Sequence, residues 1–287
     1  ERAMAAGCPC EVDTHGFKKR YSQALIVHPL FTGKTLKEAF TRKESTAVVD
    51  FSMVRIPLKL SLKQFALFGS KSVGTGGSLW YAEHILGEFL SDLIIKEQEA
   101  KAPPKRIIEL GCGACPVAGI AASALGADVV LTDMQNCLEL TSENVKRNLD
   151  SILQSASLSR KNIGNIHLEE LIWDSRKSLP KPVTRLAPFD IILCADCVFN
   201  KRLHDILART LSLLITDFNF ALIAFQRRES GEESFFDILP KFGLKHKSLD
   251  VRQVVQSIIH TWPTPLRKFL AVRDPQDYYR MFKVTKQ

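Results

Sequence analysis

The stretch from Ile107 to Asp133, IIELGCGACPVAGIAASALGADVVLTD, constrains the fold more than any other part of the chain. An apolar run (Ile107, Ile108, Leu110) ends in Gly111-Cys112-Gly113. Small residues follow from about Pro116 to Leu125, and a second apolar run, Val129 to Leu131, ends at Asp133. That order predicts a strand, a helix and a second strand, which is one half of a mononucleotide-binding fold with a mostly parallel sheet.

Each residue type in the stretch has a physical task. A glycine at the end of the first strand lets the backbone turn tightly and approach a ligand closely. The helix that follows turns free amide groups toward the same place. Asp133, 22 positions after Gly111, is placed at a strand tip, where a carboxylate accepts the hydroxyl protons of a ribose. The expected ligand therefore contains a nucleoside. A dinucleotide fingerprint would put a third glycine at position 116, but that position is Pro116, after Cys115, which disfavours a nicotinamide cofactor. Glu109 points the same way, because a carboxylate repels a diphosphate and helps hold a cation such as the charged part of S-adenosylmethionine.

Elsewhere the pattern alternates. Residues 1 to 45 carry few periodic apolar positions and read as an arm. From Val54 to Lys63 apolar residues occupy every second position, predicting a half-buried strand that Pro57 confines to an edge or a strand start. This amino-terminal β element is expected to be appended to the main sheet. A glycine-rich loop, Ser72 to Ser78, precedes a helix from Leu79 to about Lys96, with Ala82, Leu86, Phe89, Leu90, Leu93 and Ile94 on one face and Glu83, Glu88, Asp92 and Lys96 elsewhere. Further helices are read near 137–148, 202–214 and 232–241, a fainter one near 251–259, and strands near 166–171, 189–193, 220–225, 244–249 and 278–284. The expected class is α/β: a doubly wound, Rossmann-like, mostly parallel seven-stranded sheet with an N-terminal β extension. Residues 1–75 form the arm and extension, and 76–287 the cofactor-binding domain. In such sheets ligands lie at the carboxyl ends of the strands, where Gly111, Asp133, Trp173, Ala195 and Asp196 all fall.

With 287 residues, 45% of them hydrophobic and 24% charged, the chain has the make-up of a soluble globular protein with a full core. No run of about 18 apolar residues occurs and the first residues show no secretory pattern. A cytoplasmic location, with nuclear residence also allowed, is expected, and no membrane association. The net charge of +8 admits nucleic acid or an acidic protein as partner. Seven cysteines argue for free thiols. The two C-x-x-C pairs, Cys112/Cys115 and Cys194/Cys197, straddle strand ends where the chain must accommodate a ligand, so no metal is expected. The first and fourth strands of such a sheet are neighbours, which would bring Cys112 and Cys194 face to face.

The run Glu109-Leu-Gly-Cys-Gly113 resembles motif I of the class I S-adenosylmethionine-dependent methyltransferases. Joined to Leu79-Trp80, Thr132-Asp133, Asn144, Asn148, Trp173-Asp174 and the segment Phe189-Asp190-Ile191-Ile192 leading to Ala195-Asp196, it resembles lysine methyltransferase family 16. That group contains the protein-lysine methyltransferases acting on calmodulin, chaperones and elongation factors. The resemblance spans about Gly76 to Phe242, and the run Asp196-Cys-Val-Phe199 with the basic pair Arg227-Arg228 is most similar to the members acting on calmodulin. It implies S-adenosyl-L-methionine as cofactor, with Glu109, Gly111, Cys112 and Gly113 around its methionine part, Asp133 on the ribose, Trp173 on the adenine, and Trp80 and Ala195 completing the pocket. Asp196 and Phe199 would stand near the transferred methyl group. The family's D-x-x-Y motif ends in Phe199 here, which keeps an aromatic wall for a lysine side chain and lacks the hydroxyl.

The reaction so implied is attack of a neutral lysine amine on a sulfonium methyl, with the acceptor on a protein and the enzyme acting as a monomer. Lysine has an ordinary pKa near 10.4, so the site must favour the neutral amine by desolvation and by nearby positive charge. Asp196 is the candidate for orienting the amine; a carboxylate capping the next helix is the alternative. Two other functions fit the same fold. A nucleic-acid methyltransferase suits the positive charge, but enzymes of that kind usually carry an N/D-P-P-Y/F segment, and Asp196-Cys-Val-Phe199 has no proline. A non-catalytic cofactor-binding scaffold is the other.

Overall fold

The computed structural model describes residues 44–51, 58–65, 74–154, 163–174, 178–228 and 231–287. In chain order the elements are β1 (Glu44–Asp50), β2 (Lys59–Phe65), a 3-10 turn (Gly74–Gly77), α1 (Tyr81–Glu99), β3 (Arg106–Leu110), α2 (Val117–Ala124), β4 (Asp128–Asp133) and α3 (Gln135–Gln154). Then come β5 (Ile166–Glu170), α4 (Lys181–Leu186), β6 (Ile191–Ala195), α5 (His204–Leu214), β7 (Phe220–Gln226), α6 (Ser234–Ile238), β8 (Leu244–Leu249), α7 (Arg252–Ile258), α8 (Thr264–Leu270) and β9 (Tyr279–Lys286).

Seven strands form one sheet in the order β5-β4-β3-β6-β7-β9-β8. The first five are parallel, and β9 runs antiparallel to both its neighbours. Alternation along the strands separates two cores. Ile107, Leu193, Leu222 and Met281 pack with α1, α2, α3, α7 and α8, while Ile108, Ile192, Ile223 and Val284 pack with α4, α5 and α6. Helices on both faces explain why β3, β6 and β7 read as continuous apolar runs. The expected doubly wound sheet is present, and its strand order reverses between β3 and β6, the crevice where such folds bind ligands.

Two expectations are corrected, and two helices that the sequence did not announce are added. The β element is not appended to the main sheet: β1 and β2 form a separate antiparallel pair, held instead against α3. Its predicted start, Val54 to Pro57, lies outside the described residues, as do residues 1–43 of the expected arm. Glu83 and Glu88, placed by periodicity away from the apolar face of α1, are 5% and 0% exposed. The reason is that α1 is covered on its second side by the carboxyl-terminal segment: Trp262 packs against Tyr81, the rings tilted by 35° with centroids 4.5 Å apart, and donates Nε1–H to Nδ1 of His84 at 3.0 Å. That bond leaves the proton of His84 on Nε2, which donates to the Asp50 carbonyl at 3.1 Å. Finally, α4 and α8 escape the periodicity reading because each is short. Pro182 and Pro265 in their first turns were the available signal.

Candidate active site

The glycine turn after β3 is fixed from three sides. Gly111 and Gly113 adopt φ of +64° and +60°, a region that costs other residues strain. The Gly113 amide donates to Oδ2 of Asp133 at 2.9 Å, and the Met134 amide to Oδ1 at 2.7 Å. Each Asp133 oxygen thus retains a lone pair for another donor. The Gly74–Gly77 turn lies on the opposite side, with the Ala114 amide donating to the Gly76 carbonyl at 2.7 Å. Thr141 donates to the Gly113 carbonyl at 2.8 Å. A Cβ on Gly111 would stand 3.0 Å from both Cys197 Sγ and the Trp173 ring, so these two residues close over the turn. Met134, which follows Asp133, and Ile172, which precedes Trp173, are exposed apolar side chains, 39% and 50%.

Behind the turn lies an acidic centre. α2 has no acidic residue in its own first turn, and its Ala118 amide donates to Oε1 of Glu83 on α1 at 2.8 Å. One helix amide expected to face a ligand is therefore taken by a protein carboxylate, which also suits the positive end of the helix. Glu109 is 1% exposed, and its carboxyl lies against that of Glu83. Burial, and then the charge of Glu83, hold its carboxyl well above the usual carboxylate range. Burial likewise pushes Glu83 up to about 7, against the opposing Ala118 hydrogen bond. Asp133 is also raised by burial, opposed by its two amide donors.

At the end of β6, Asp196 adopts φ of +53°, and its amide donates to the Ala224 carbonyl at 2.8 Å. Its Oδ1 accepts the Gln226 amide at 2.9 Å and Arg228 Nη1 at 2.8 Å, while Oδ2 is buried with no hydrogen-bond partner. Asp196 does not cap α5, whose N-cap is Leu203; the 3-10 turn Lys201–Leu203 that leads into it is capped by Asn200, which accepts the Arg202 amide at 3.1 Å. Trp80, at the N-cap of α1, donates Nε1–H to the Thr75 carbonyl at 3.2 Å and carries the Arg228 guanidinium over its ring at 4.8 Å from the centroid. Ala195 ends the strand beside Ala224, and Phe199 is half-buried in the loop beyond.

Gly111, Cys112, Gly113, Asp133, Trp173, Ala195 and Asp196 thus gather along the carboxyl ends of β3 to β6, with Trp80 joined to them through Arg228. The Cys112 thiol is buried and donates to the Gly113 carbonyl at 3.5 Å. Cys194, expected to face it, is in register with Leu110 instead, and the Leu110 carbonyl accepts the Cys197 thiol at 3.1 Å. Sequence reasoning missed Glu83, hidden because its helix is buried on two sides, and the role of Arg228, for which the basic pair Arg227-Arg228 was the only signal.

The sequence profile of the lysine methyltransferase family matches residues 60–242, a span that reaches back into β2. Protein N-lysine methyltransferase METTL21A of Danio rerio is 29% identical over 181 residues, 63% of this chain and 74% of that protein. EEF1A lysine methyltransferase 3 of Xenopus tropicalis is 29% identical over 174 residues, 60% and 67% of the two chains. Calmodulin-lysine N-methyltransferase of Arabidopsis thaliana is 29% identical over 171 residues, 58% of this chain and 50% of that one.

Proposed function

The chain belongs to the lysine methyltransferase family, and from that premise we propose that it transfers methyl groups from S-adenosyl-L-methionine to a lysine side chain of a protein. The observation that carries the reading is the Asp133 carboxylate, held at the tip of β4 by two backbone amides with lone pairs to spare, facing a glycine turn in a chain of this family.

The residues present suit a cationic nucleoside. Asp196 Oδ2 is a buried acceptor with no hydrogen-bond partner among the described residues, and an unpaired buried acceptor is costly unless a donor or cation meets it. Asp133 would hold the ribose, Gly111 and Gly113 would allow close approach of the chain, and Trp173 offers an apolar face to a base. Trp80, Cys112 and Ala195 would complete the walls. When bound, S-adenosylmethionine supplies a methyl group activated by the attached sulfonium.

The protein's share is positioning and exclusion of water. Oδ2 of Asp196 is the acceptor that would align the lysine N–H, and Phe199 is the aromatic wall along the lysine stem. Burial favours the neutral form of an amine. The net charge of +8 supports an acidic protein surface as the acceptor; the reading includes a monomeric enzyme of the cytoplasm, and also of the nucleus. Incubation with labelled donor and cell lysate, with and without RNase, tests it. A labelled protein band is expected, lost in Asp133→Ala. Label confined to RNA, or no label at all, overturns it.

A further inference from the structure

Three contacts of Arg228 bear on the site. Its Nη1 donates to Asp196 Oδ1 at 2.8 Å and to the Gln226 carbonyl at 3.1 Å, and its guanidinium lies on the Trp80 ring. The side chains of Arg228 and Asp196 are 2% and 5% exposed, so the pair is screened little by solvent. Oδ1 already accepts two hydrogen bonds, which leaves Oδ2 as the oxygen able to take a further donor. Through Trp80 and the Thr75 carbonyl, the guanidinium platform is tied to the Gly74–Gly77 turn that buttresses the glycine turn.

A buried carboxylate beside an acceptor lysine acts in two opposed ways. Its free oxygen aligns an N–H, which assists attack. Its charge stabilises the ammonium form, which has no lone pair and cannot attack. We infer that Arg228 is a positioning residue of the transfer: its charge offsets that of Asp196, so the acceptor amine stays neutral while Oδ2 remains available to align it. The inference rests on the lysine methyl transfer proposed above. Other titratable groups bear on the same carboxylate. Glu83 of α1 interacts with it electrostatically, as do Tyr279 of β9 and the Cys197 thiol; Glu109 lies against Glu83, and Glu232, further along from Arg228, is also buried. Of these, Glu83 titrates near neutrality and needs a control.

The test is the pH dependence of label transfer, between about pH 6.5 and 10, from S-adenosylmethionine to the principal lysate protein. It is run for the parent, Arg228→Gln, Arg228→Lys and the double variant Asp196→Asn/Arg228→Gln, with S-adenosylhomocysteine affinity measured alongside. In Arg228→Gln the rising limb is expected to move about one pH unit or more toward alkali, so that the rate falls about tenfold near pH 7 and recovers toward the parent at high pH. Arg228→Lys, which keeps the charge, is expected to hold the limb in place. The double variant replaces the buried pair by neutral groups of similar shape, which folded proteins tolerate better than a lone buried charge. Its limb is expected at or below the parent's, with a lower rate throughout because an amide aligns the amine less well.

An Arg228→Gln loss that is the same at every pH, or a double variant whose limb stays alkaline, overturns the inference and marks the pair as a structural tie between β6 and β7. The same holds for an alkaline shift that vanishes in a Glu83→Gln background. A parent that does not bind S-adenosylhomocysteine overturns the proposed function, and this inference with it.

Discussion

The side-chain amide of Asn144 bonds to both backbone groups of Lys63: Oδ1 accepts the Lys63 amide at 2.7 Å and Nδ2 donates to the Lys63 carbonyl at 2.8 Å. Asn148, one turn further along α3, does the same for Ser61 at 2.7 and 3.0 Å. Two buried side chains thus supply β2 with the hydrogen bonds a neighbouring strand would supply. Asn144 Nδ2 also donates to the Ala114 carbonyl at 2.7 Å, so the hairpin and the glycine turn share one anchor.

Replacing Asn144 by Ala leaves buried backbone groups unpaired on both sides and is expected to cost about 1–3 kcal/mol. Hydrogen exchange at Lys63 should accelerate, and affinity for S-adenosylhomocysteine should fall because Ala114 is released. Asn148→Ala should speed exchange at Ser61 with little effect on affinity. Exchange mass spectrometry and calorimetry on the two variants separate these outcomes, and equal affinity losses would contradict the shared anchor.

Gly111→Ala combines a left-handed φ of +64° with a Cβ 3.0 Å from Cys197 Sγ and Trp173. Destabilisation of about 1–3 kcal/mol is expected, visible as a lower thermal midpoint, together with weaker S-adenosylhomocysteine binding. Adding Cys197→Ala should restore part of the stability by opening space, while the backbone strain persists. Full recovery would show that contact, not φ, sets the cost.

Asp133→Ala should reduce S-adenosylhomocysteine affinity at least tenfold, a loss of about 1.4 kcal/mol or more. Asp133→Asn keeps one acceptor oxygen and should lose less. Titration calorimetry reads both; an Ala variant that binds like the parent would remove Asp133 from the ligand site.

Glu83 gives a pH dependence whose sign is fixed. Its ordinary value of 4.5 rises to about 7 in the folded protein, so between those values the folded state holds a proton that the unfolded chain has released. The resulting stabilisation is complete below pH 4.5 and is lost as pH rises to about 7. Glu83→Gln, which keeps the acceptor for the Ala118 amide, should match the parent at pH 4.5 and exceed it at pH 8 by on the order of 1–3 kcal/mol. Denaturant titrations at the two pH values measure this. A cationic ligand should favour the ionised carboxylate, so binding of S-adenosylmethionine near pH 7 should release protons, detectable by calorimetry in buffers of different ionisation enthalpy.

Much of the frame was written locally. The apolar runs of β3, β4 and β6 located the central strands, because a strand covered on both faces carries few polar positions to confuse the reading. The left-handed glycines at 111 and 113 and the strand-tip place of Asp133 followed from backbone sterics and strand periodicity. These are properties of a residue and its near neighbours along the chain.

What lay beyond reach was decided by the path of the whole chain. Nothing near Glu83 or His84 announces that residues 251–270 will cover their helix, because the bond from Trp262 to His84 joins positions 178 apart. Arg228 reaches Asp196 across 32 positions and Asn144 reaches Lys63 across 81. Periodicity reports which side chains share a face of one helix or strand. Which element then lies against that face, and so whether a polar residue is solvated or becomes a buried partner, is settled only when distant segments pack together.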